Sequence, residues 1–367
     1  LFTSSFLPKV GGMEYVIHYL AEALLDAGVD VTVMARRSSQ EDNFTHRYRL
    51  IRYGVAFRGG HRLHINHVSA RWELAKLIRE QGVDLVHIHS VSVPPLLCMR
   101  FLQSRHIPMV MTPHGEDVQR IPEIGYGARL HPKWDRIVRR HLAAADAVTA
   151  ISQSIRQEMD FVEPGKIFDV PNGIHTKVFD CQPSVFLQEM LGLKGDIRII
   201  LSVGRNHIKK GYELGIRAIA ELVKSNEMAG WHYVLVGKGV STLKSVVESL
   251  GLSQWVSLVE VVSPDKLRRC YNSSHIFFSP SIVEGLSLVS IEAMACGLPL
   301  VVTDVPGNED VVRDNGCGVI VHSKDVQDMA RGLREMLNNP TRREELGKLA
   351  LQRSAEYDWQ AIARKYI

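Results

Sequence analysis

Two glutamates, Glu284 and Glu292, are separated by seven residues within Ser279-Pro280-Ser281-Ile282-Val283-Glu284-Gly285-Leu286-Ser287-Leu288-Val289-Ser290-Ile291-Glu292-Ala293-Met294-Ala295-Cys296-Gly297. An apolar run that reads as a strand passes into a loop and then into a helix opening near Ser287. Glu284 therefore falls at the helix mouth and Glu292 more than one turn inside. A helix start offers unpaired N–H groups and partial positive charge that suit a phosphate, and carboxylates accept hydrogen bonds from sugar hydroxyls. A nucleotide sugar carries both groups. The plainer reading, in which Glu284 caps the helix and Glu292 is solvated, fits the spacing taken alone.

A second segment, Ile199-Ile200-Leu201-Ser202-Val203-Gly204-Arg205-Asn206-His207-Ile208-Lys209-Lys210-Gly211, reads as a buried strand ending in Gly-Arg and followed by Lys-Gly at the start of an amphipathic helix. Arg205 and Lys210 then leave the carboxyl end of one strand, where open α/β sheets bind ligands. Arg contributes a planar fork and Lys a point charge. Together they suit a diphosphate and the charge that develops on it as it departs. Two surface cations in a loop is the bland alternative.

These segments belong to an ordered set with Gly11-Gly12, His114-Gly115-Glu116-Asp117, Pro171-Asn172-Gly173-Ile174, Gly237-Lys238-Gly239 and Glu292-Ala293-Met294-Ala295-Cys296-Gly297-Leu298-Pro299. On them the chain resembles glycosyltransferase family 4, over nearly its whole length. The resemblance implies an α/β, GT-B architecture of two Rossmann-like, doubly wound parallel-sheet domains facing across a cleft, and a retaining, nucleotide-sugar-dependent reaction. It implies that Arg205 and Lys210 grip the donor diphosphate, Glu292 the ribose and Glu284 the transferred sugar, with His114 near the reacting centre. His114, Glu284, Arg205 and Lys210 are the expected catalytic set. Donor contacts are expected from Gly11, Gly12, Gly204, Arg205, Lys210, Gly237, Val262, Glu284, Gly285, Leu286, Ser287, Leu288 and Glu292. Three departures leave base and sugar open: Glu260 and Ser287 stand where Gly is common, and His175 where Asp is usual.

The elements that must position these residues are legible in outline. A length of 367 residues suits two domains, each with its own core. The expected partition is 1–170, 171–350 and a helix in 351–367 returning to the first domain, with the join near Pro164 to Gly173. In the first half, Met13, Val16, Ile17, Leu20 and Leu24 recur at helical spacing until Gly28, and Val29 to Met34 follows as a strand. Strands are expected at Val83 to His87, Pro108 to Thr112 and Ala147 to Ile151. In the second half they are expected at Ile199 to Val203, Trp231 to Val236, Val256 to Val259, His275 to Ser279, Leu298 to Thr303 and Gly318 to Val321, alternating with helices in the manner of a parallel sheet. Leu1-Phe2-Thr3 reads as the tail of a strand lying mostly upstream. Gly11-Gly12 suits close backbone approach or a plain turn. His87 and His89 alternate on a strand as metal ligands or as partly buried strand histidines. No carboxylate or Cys stands near them at ligand spacing, which favours the second reading.

Composition narrows the setting. Hydrophobic residues are 45% and charged residues 23%, with a net charge of +4. The five cysteines are scattered without a Cys-x-x-Cys pair, which argues against a disulfide scaffold or metal finger and for a reducing, cytoplasmic location. No stretch approaches the about 20 apolar residues that cross a bilayer. Between Phe44 and Trp72 lie Arg47, Arg49, Arg52, Arg58, Arg62 and Arg71, four histidines and no acid, interleaved with aromatics. The segment 44–72 is either a solvated loop face or a contact for an acidic acceptor or, peripherally, for anionic lipid on the cytoplasmic face. No nucleic-acid module is recognisable, and no metal or cofactor is required beyond the nucleotide sugar as co-substrate. The reading is a metal-independent retaining hexosyltransferase acting on a glycan or lipid-linked acceptor, in the setting of cell-envelope polysaccharide synthesis. A phosphorylase, a nucleotide-sugar epimerase and a non-catalytic sugar-nucleotide-binding subunit are the alternatives.

Overall fold

A computed structural model describes residues 1–9, 11–39, 43–54, 65–176, 178–312 and 316–367. The chain divides into two compact units, Leu1–Gly173 with Trp359–Ile367, and Ile174–Asp358.

The first unit is a seven-stranded sheet of β1 (Phe2–Thr3), β2 (Thr32–Arg36), β3 (Arg49–Tyr53), β4 (Val86–His89), β5 (Met109–Thr112), β6 (Ala147–Ala150) and β7 (Ile167–Asp169). Their order is β3-β2-β1-β4-β5-β6-β7, every pair parallel. β1 is an interior strand, with Phe2 opposite both Met34 and Ile88. The helix Gly12–Asp26 buries Val16, Ile17, Leu20, Ala21 and Leu24, and Gly28 follows it with φ of 86°, a left-handed conformation that glycine adopts without a steric penalty.

Two strands escaped the sequence reading. β3 lies inside the arginine-rich stretch, because Leu50 and Ile51 are too short an apolar run to stand out among cations. β7 occupies the segment expected to join the domains, so the boundary falls after Gly173 and not after residue 170. The returning segment is also shorter than 351–367. Residues up to Asp358 stay with the second unit, and the short helix Trp359–Arg364 belongs to the first. Trp359 is buried and occupies the space beside Gly173, where an added Cβ would lie 2.6 Å from the indole.

The second unit has β8 (Arg198–Val203), β9 (Trp231–Val236), β10 (Val256–Val259), β11 (Ile276–Ser279), β12 (Leu300–Thr303) and β13 (Gly318–Val321). Their order is β10-β9-β8-β11-β12-β13, again all parallel. β8 and β9 are near-continuous apolar runs, as strands covered on both faces must be. The helices Tyr212–Lys224 and Val326–Asn338 share one core cluster with Ile200, Tyr233, Phe278, Val301 and Val321. Both sheets reverse their winding once, between β1 and β4 and between β8 and β11. Crevices at such reversals are where doubly wound sheets bind ligands.

Gly204 and Gly237 end the neighbouring strands β8 and β9 with φ of 143° and 153°. A Cβ on Gly237 would stand 2.1 Å from the Gly204 carbonyl oxygen. Gly237→Ala is therefore expected to lower Tm by about 5–10 °C. A thermal melt unchanged from the parent would contradict this close approach.

Candidate functional site

In the second unit the reversal between β8 and β11 is where the two chemically suggestive segments emerge. The loop after β8 carries Gly204 to Gly211 and the loop after β11 carries Pro280 to Ser287. Backbone bonds join them, since Ile282 and Val283 both donate to the Lys209 carbonyl, at 2.7 and 3.2 Å. Gly211, at φ of 61°, allows the approach, because a Cβ there would meet the Pro280 carbonyl oxygen at 2.1 Å.

Across this seam Lys210 Nζ donates to Glu284 Oε1 at 2.6 Å, and Ser281 Oγ donates to the same oxygen at 2.7 Å. Glu284 is buried. Burial pushes its carboxyl upward, but the charges of Lys210 and Lys209 and the bonds from Lys210 and Ser281 outweigh it and hold the group below the usual glutamate range. Glu284 is accordingly an ionised acceptor at neutral pH. Lys210 keeps two further N–H donors for a ligand.

Glu292 lies five residues into the helix Leu288–Ala295, whose N-cap position is Ser287. No side chain caps that helix start, because the Ser287 hydroxyl bonds Ser290 Oγ at 2.7 Å instead. Burial raises the Glu292 carboxyl to about 7, against a hydrogen bond from Tyr271 and the charge of Lys210 that favour ionisation. The Tyr271 hydroxyl donates to Glu292 Oε2 at 2.7 Å. The two glutamates thus differ in proton affinity, one having a cation in contact and the other a phenol.

Arg205 is exposed and forms no ion pair among the described residues, so the two cations expected on one diphosphate are in different circumstances. Gly285, Leu286, Ser287 and Leu288 all lie between Glu284 and the helix start, and Gly204 begins the facing loop. Val262 lies farther out, in the loop after β10, two strands from the reversal. Glu260 in that loop accepts from Ser241 Oγ at 2.6 Å and from the N–H groups of Gly239 and Ser241 at 2.9 and 3.1 Å. The Ser241 hydroxyl and those amides hold its carboxyl below the usual range.

Several contributing residues carried no signal in the sequence. Ser281, Tyr271 and Tyr212 are ordinary residues of strand ends and helices. The Tyr212 hydroxyl is buried beside Gly204 and has no hydrogen-bond partner among the described residues. Gly307 packs under the Glu284 carbonyl, where a Cβ would lie 2.7 Å from that oxygen. Thr303 Oγ1 donates to the Ser281 carbonyl and in turn accepts from Asn308 Nδ2. Their role depends on distance in space, which no local pattern encodes.

In the first unit His114 follows β5 and is partly buried. Asp117 organises its loop, accepting from the N–H groups of His114 and Gly115 through Oδ1 and of Val91 through Oδ2. Gly11 sits over Glu14, where a Cβ would meet Glu14 Oε2 at 2.3 Å, so the close approach at Gly11-Gly12 is to this buried carboxylate. His87 and His89 are buried strand residues, and no group of three metal-ligating side chains occurs among the described residues. Of the arginine-rich segment, Arg58 and Arg62 lie outside the described residues. Arg47 pairs with Glu22 and Asp26, and Arg52 donates to the Leu7 carbonyl, so part of that charge is engaged within the unit. No helix among the described residues is long and apolar enough to cross a membrane.

Known proteins resemble the chain across both of its halves. A family described as Glycosyltransferase Family 4 matches residues 10–178, and one described as Glycosyl transferases group 1 matches residues 186–353. A D-inositol 3-phosphate glycosyltransferase of Acidothermus cellulolyticus is 27% identical, over 95% of this chain and 83% of that protein. One from Kineococcus radiotolerans is 28% identical, over 96% and 88%. Among solved structures, a sucrose-phosphate synthase of Thermosynechococcus elongatus superposes with a TM-score of 0.81 at 23% identity, covering 100% of this chain and 96% of the other. Anabaena HepE in complex with UDP and glucose gives 0.79 at 17% identity, covering 100% and 97%. With its two Rossmann-like sheets, its matches across both halves and its relatives along nearly the full length, the chain belongs to the family 4 glycosyltransferases of GT-B fold.

Proposed function

We propose that this glycosyltransferase is a retaining, metal-independent enzyme that moves a hexosyl group from a nucleoside diphosphate sugar to a glycan or lipid-linked acceptor. The observation that carries the reading is the Lys210–Glu284 pair at the β8/β11 reversal, with Glu292 one helix turn beyond. Cations, a helix start and hydroxyl-accepting carboxylates converge there, which is the complement of a sugar diphosphate. Anabaena HepE, of like fold, has been solved with UDP and glucose and with UDP-glucose, which supports a nucleotide-sugar donor.

In this scheme the ribose hydroxyls donate to Glu292 and a hydroxyl of the transferred sugar to Glu284. Arg205 and Lys210 hold the diphosphate. The bond from the anomeric carbon to the β-phosphate oxygen breaks, the acceptor oxygen bonds to the same face, and the acceptor proton passes to the departing diphosphate. Arg205, Lys210 and the amides near Leu286 to Val289 stabilise the charge that develops on it. His114 in the first unit serves as a substrate contact. Val68 and Trp72, both exposed and next to Arg71, make the helix Ile65–Gln81 a contact for a membrane-linked or anionic acceptor.

A panel of nucleotide sugars should protect the chain against heat with one donor, and nucleoside diphosphate should form when an acceptor is supplied. Glu292→Ala is expected to weaken nucleotide affinity by about tenfold or more, whereas Glu284→Ala lowers kcat with a smaller loss of nucleotide affinity. Equal, small effects of both would remove the site.

Glu292 also makes two pH predictions. Its folded-state value of about 7 lies above the ordinary 4.5, so the folded chain keeps a proton that the unfolded chain has lost. Its contribution to stability falls as pH rises from about 4.5 to about 7 and is level above that. Ribose hydroxyls select the carboxylate, so nucleoside diphosphate affinity should fall by up to about tenfold per pH unit below 7. Titration calorimetry on Glu292→Gln isolates the ligand's own titration, and an equally steep pH dependence in that variant would refute the assignment.

A further inference from the structure

Strand β4 places His87 and His89 on one face of the first sheet, as residues two apart must be. Both rings are buried, with centroids 4.1 Å apart. His87 is satisfied through Nε2, which lies 2.6 Å from Thr112 Oγ1. Thr112 also bonds Thr149, and the Tyr366 hydroxyl reaches both threonines. His89 differs. Its Nδ1 stands 3.1 Å from His114 Nε2, and its Nε2 is buried without a hydrogen-bond partner.

That asymmetry assigns the protons. A neutral imidazole has one N–H and one bare nitrogen. A proton on His89 Nε2 would bury a donor with nothing to accept it, and orphaned buried N–H groups are the rarer and more costly kind. With the proton on Nδ1, the N–H is satisfied by His114 Nε2 and only a bare nitrogen is left unpartnered. His114 is then an acceptor at Nε2, and its own proton lies on Nδ1. Burial lowers the affinity of all three rings for a second proton, and at His114 this outweighs the opposing pull of Asp117 and Glu14. The Asp117 carboxylate fixes the relation of the two rings, since it ties the loop after β4 at Val91 to the loop after β5 at His114.

We propose that His89 is a positioning residue that locks His114 in the Nδ1–H tautomer, so that His114 presents the substrate with a hydrogen-bond donor and not a base. The donor at Nδ1 would bind a substrate oxygen, and acceptor deprotonation would be left to the departing phosphate. The proposal rests on the reading of His114 as a substrate contact. It concerns a residue inside the sheet that touches no ligand itself.

The full-length chain labelled with 15N-histidine allows a direct test by long-range 1H–15N correlation, with His89→Asn and His114→Gln spectra supplying the assignments. In the parent protein His114 should show a protonated Nδ1 and a bare Nε2, the form that free histidine disfavours. His89→Phe, which keeps a ring and removes the donor, should lower kcat by about tenfold with donor KM within about twofold. His89→Asn, whose amide nitrogen replaces Nδ1, should recover most of the loss. Melting curves identify a variant that fails to fold, in which case the parent spectrum and His89→Asn decide. A protonated Nε2 on His114 in the parent, or full activity in folded His89→Phe while His114→Ala is slow, overturns the proposal. Full activity in His114→Ala instead overturns the substrate-contact reading beneath it, whatever tautomer the spectrum shows.

Discussion

The contact between Lys210 and Glu284 is a largely buried ion pair beyond the carboxyl ends of the two central strands of its sheet, and such a pair is tolerable only where the surroundings offset the desolvation of the charges. Ser281 supplies a second donor to the carboxylate, and the doubled backbone bond to the Lys209 carbonyl holds the cation's loop in place. Both loops are anchored in turn. Gly211 and Gly215 let the helix Tyr212–Lys224 approach Pro280, and Gly307, Thr303 and Asn308 support the stretch Ser281 to Glu284 from below. Removing Lys210 would take from the buried Glu284 carboxylate the cation in contact with it. The rim of the second unit is thus built to keep one carboxylate ionised, with Lys210 in contact and Lys209 close by.

Glu292 shows the opposite solution eight positions later. It has the phenol of Tyr271 in place of a contacting cation, and its carboxyl is raised to about 7. One acid is therefore ionised at neutral pH, and the other is balanced near it. The same contrast appears among the histidines of the first unit. His87 pairs with a threonine hydroxyl, which can serve either tautomer, whereas His89 pairs with another histidine, where one ring must donate and the other accept.

Much of the frame was readable because doubly wound sheets are made of continuous apolar strands alternating with amphipathic helices. Trp231–Val236, Val256–Val259 and Gly318–Val321 coincide with the expected strands to the residue. β3 and β7 were missed for a physical reason. Each is a short edge-side strand, with Arg49 and Arg52 in one and an exposed Phe168 and Asp169 in the other, so neither shows the apolar run of a covered strand.

What the residues determined by themselves was which side chains leave the ends of β8 and β11, because strand periodicity, glycine punctuation and the helix start are local properties. Only the tertiary structure decided which of those side chains meet. The Lys210–Glu284 contact spans 74 positions, the Tyr271–Glu292 bond 21 and the His89–His114 bond 25. The charge of Glu284, the raised carboxyl of Glu292 and the tautomer of His114 all depend on burial and on partners brought together by sheet order, and those are properties of the folded chain alone.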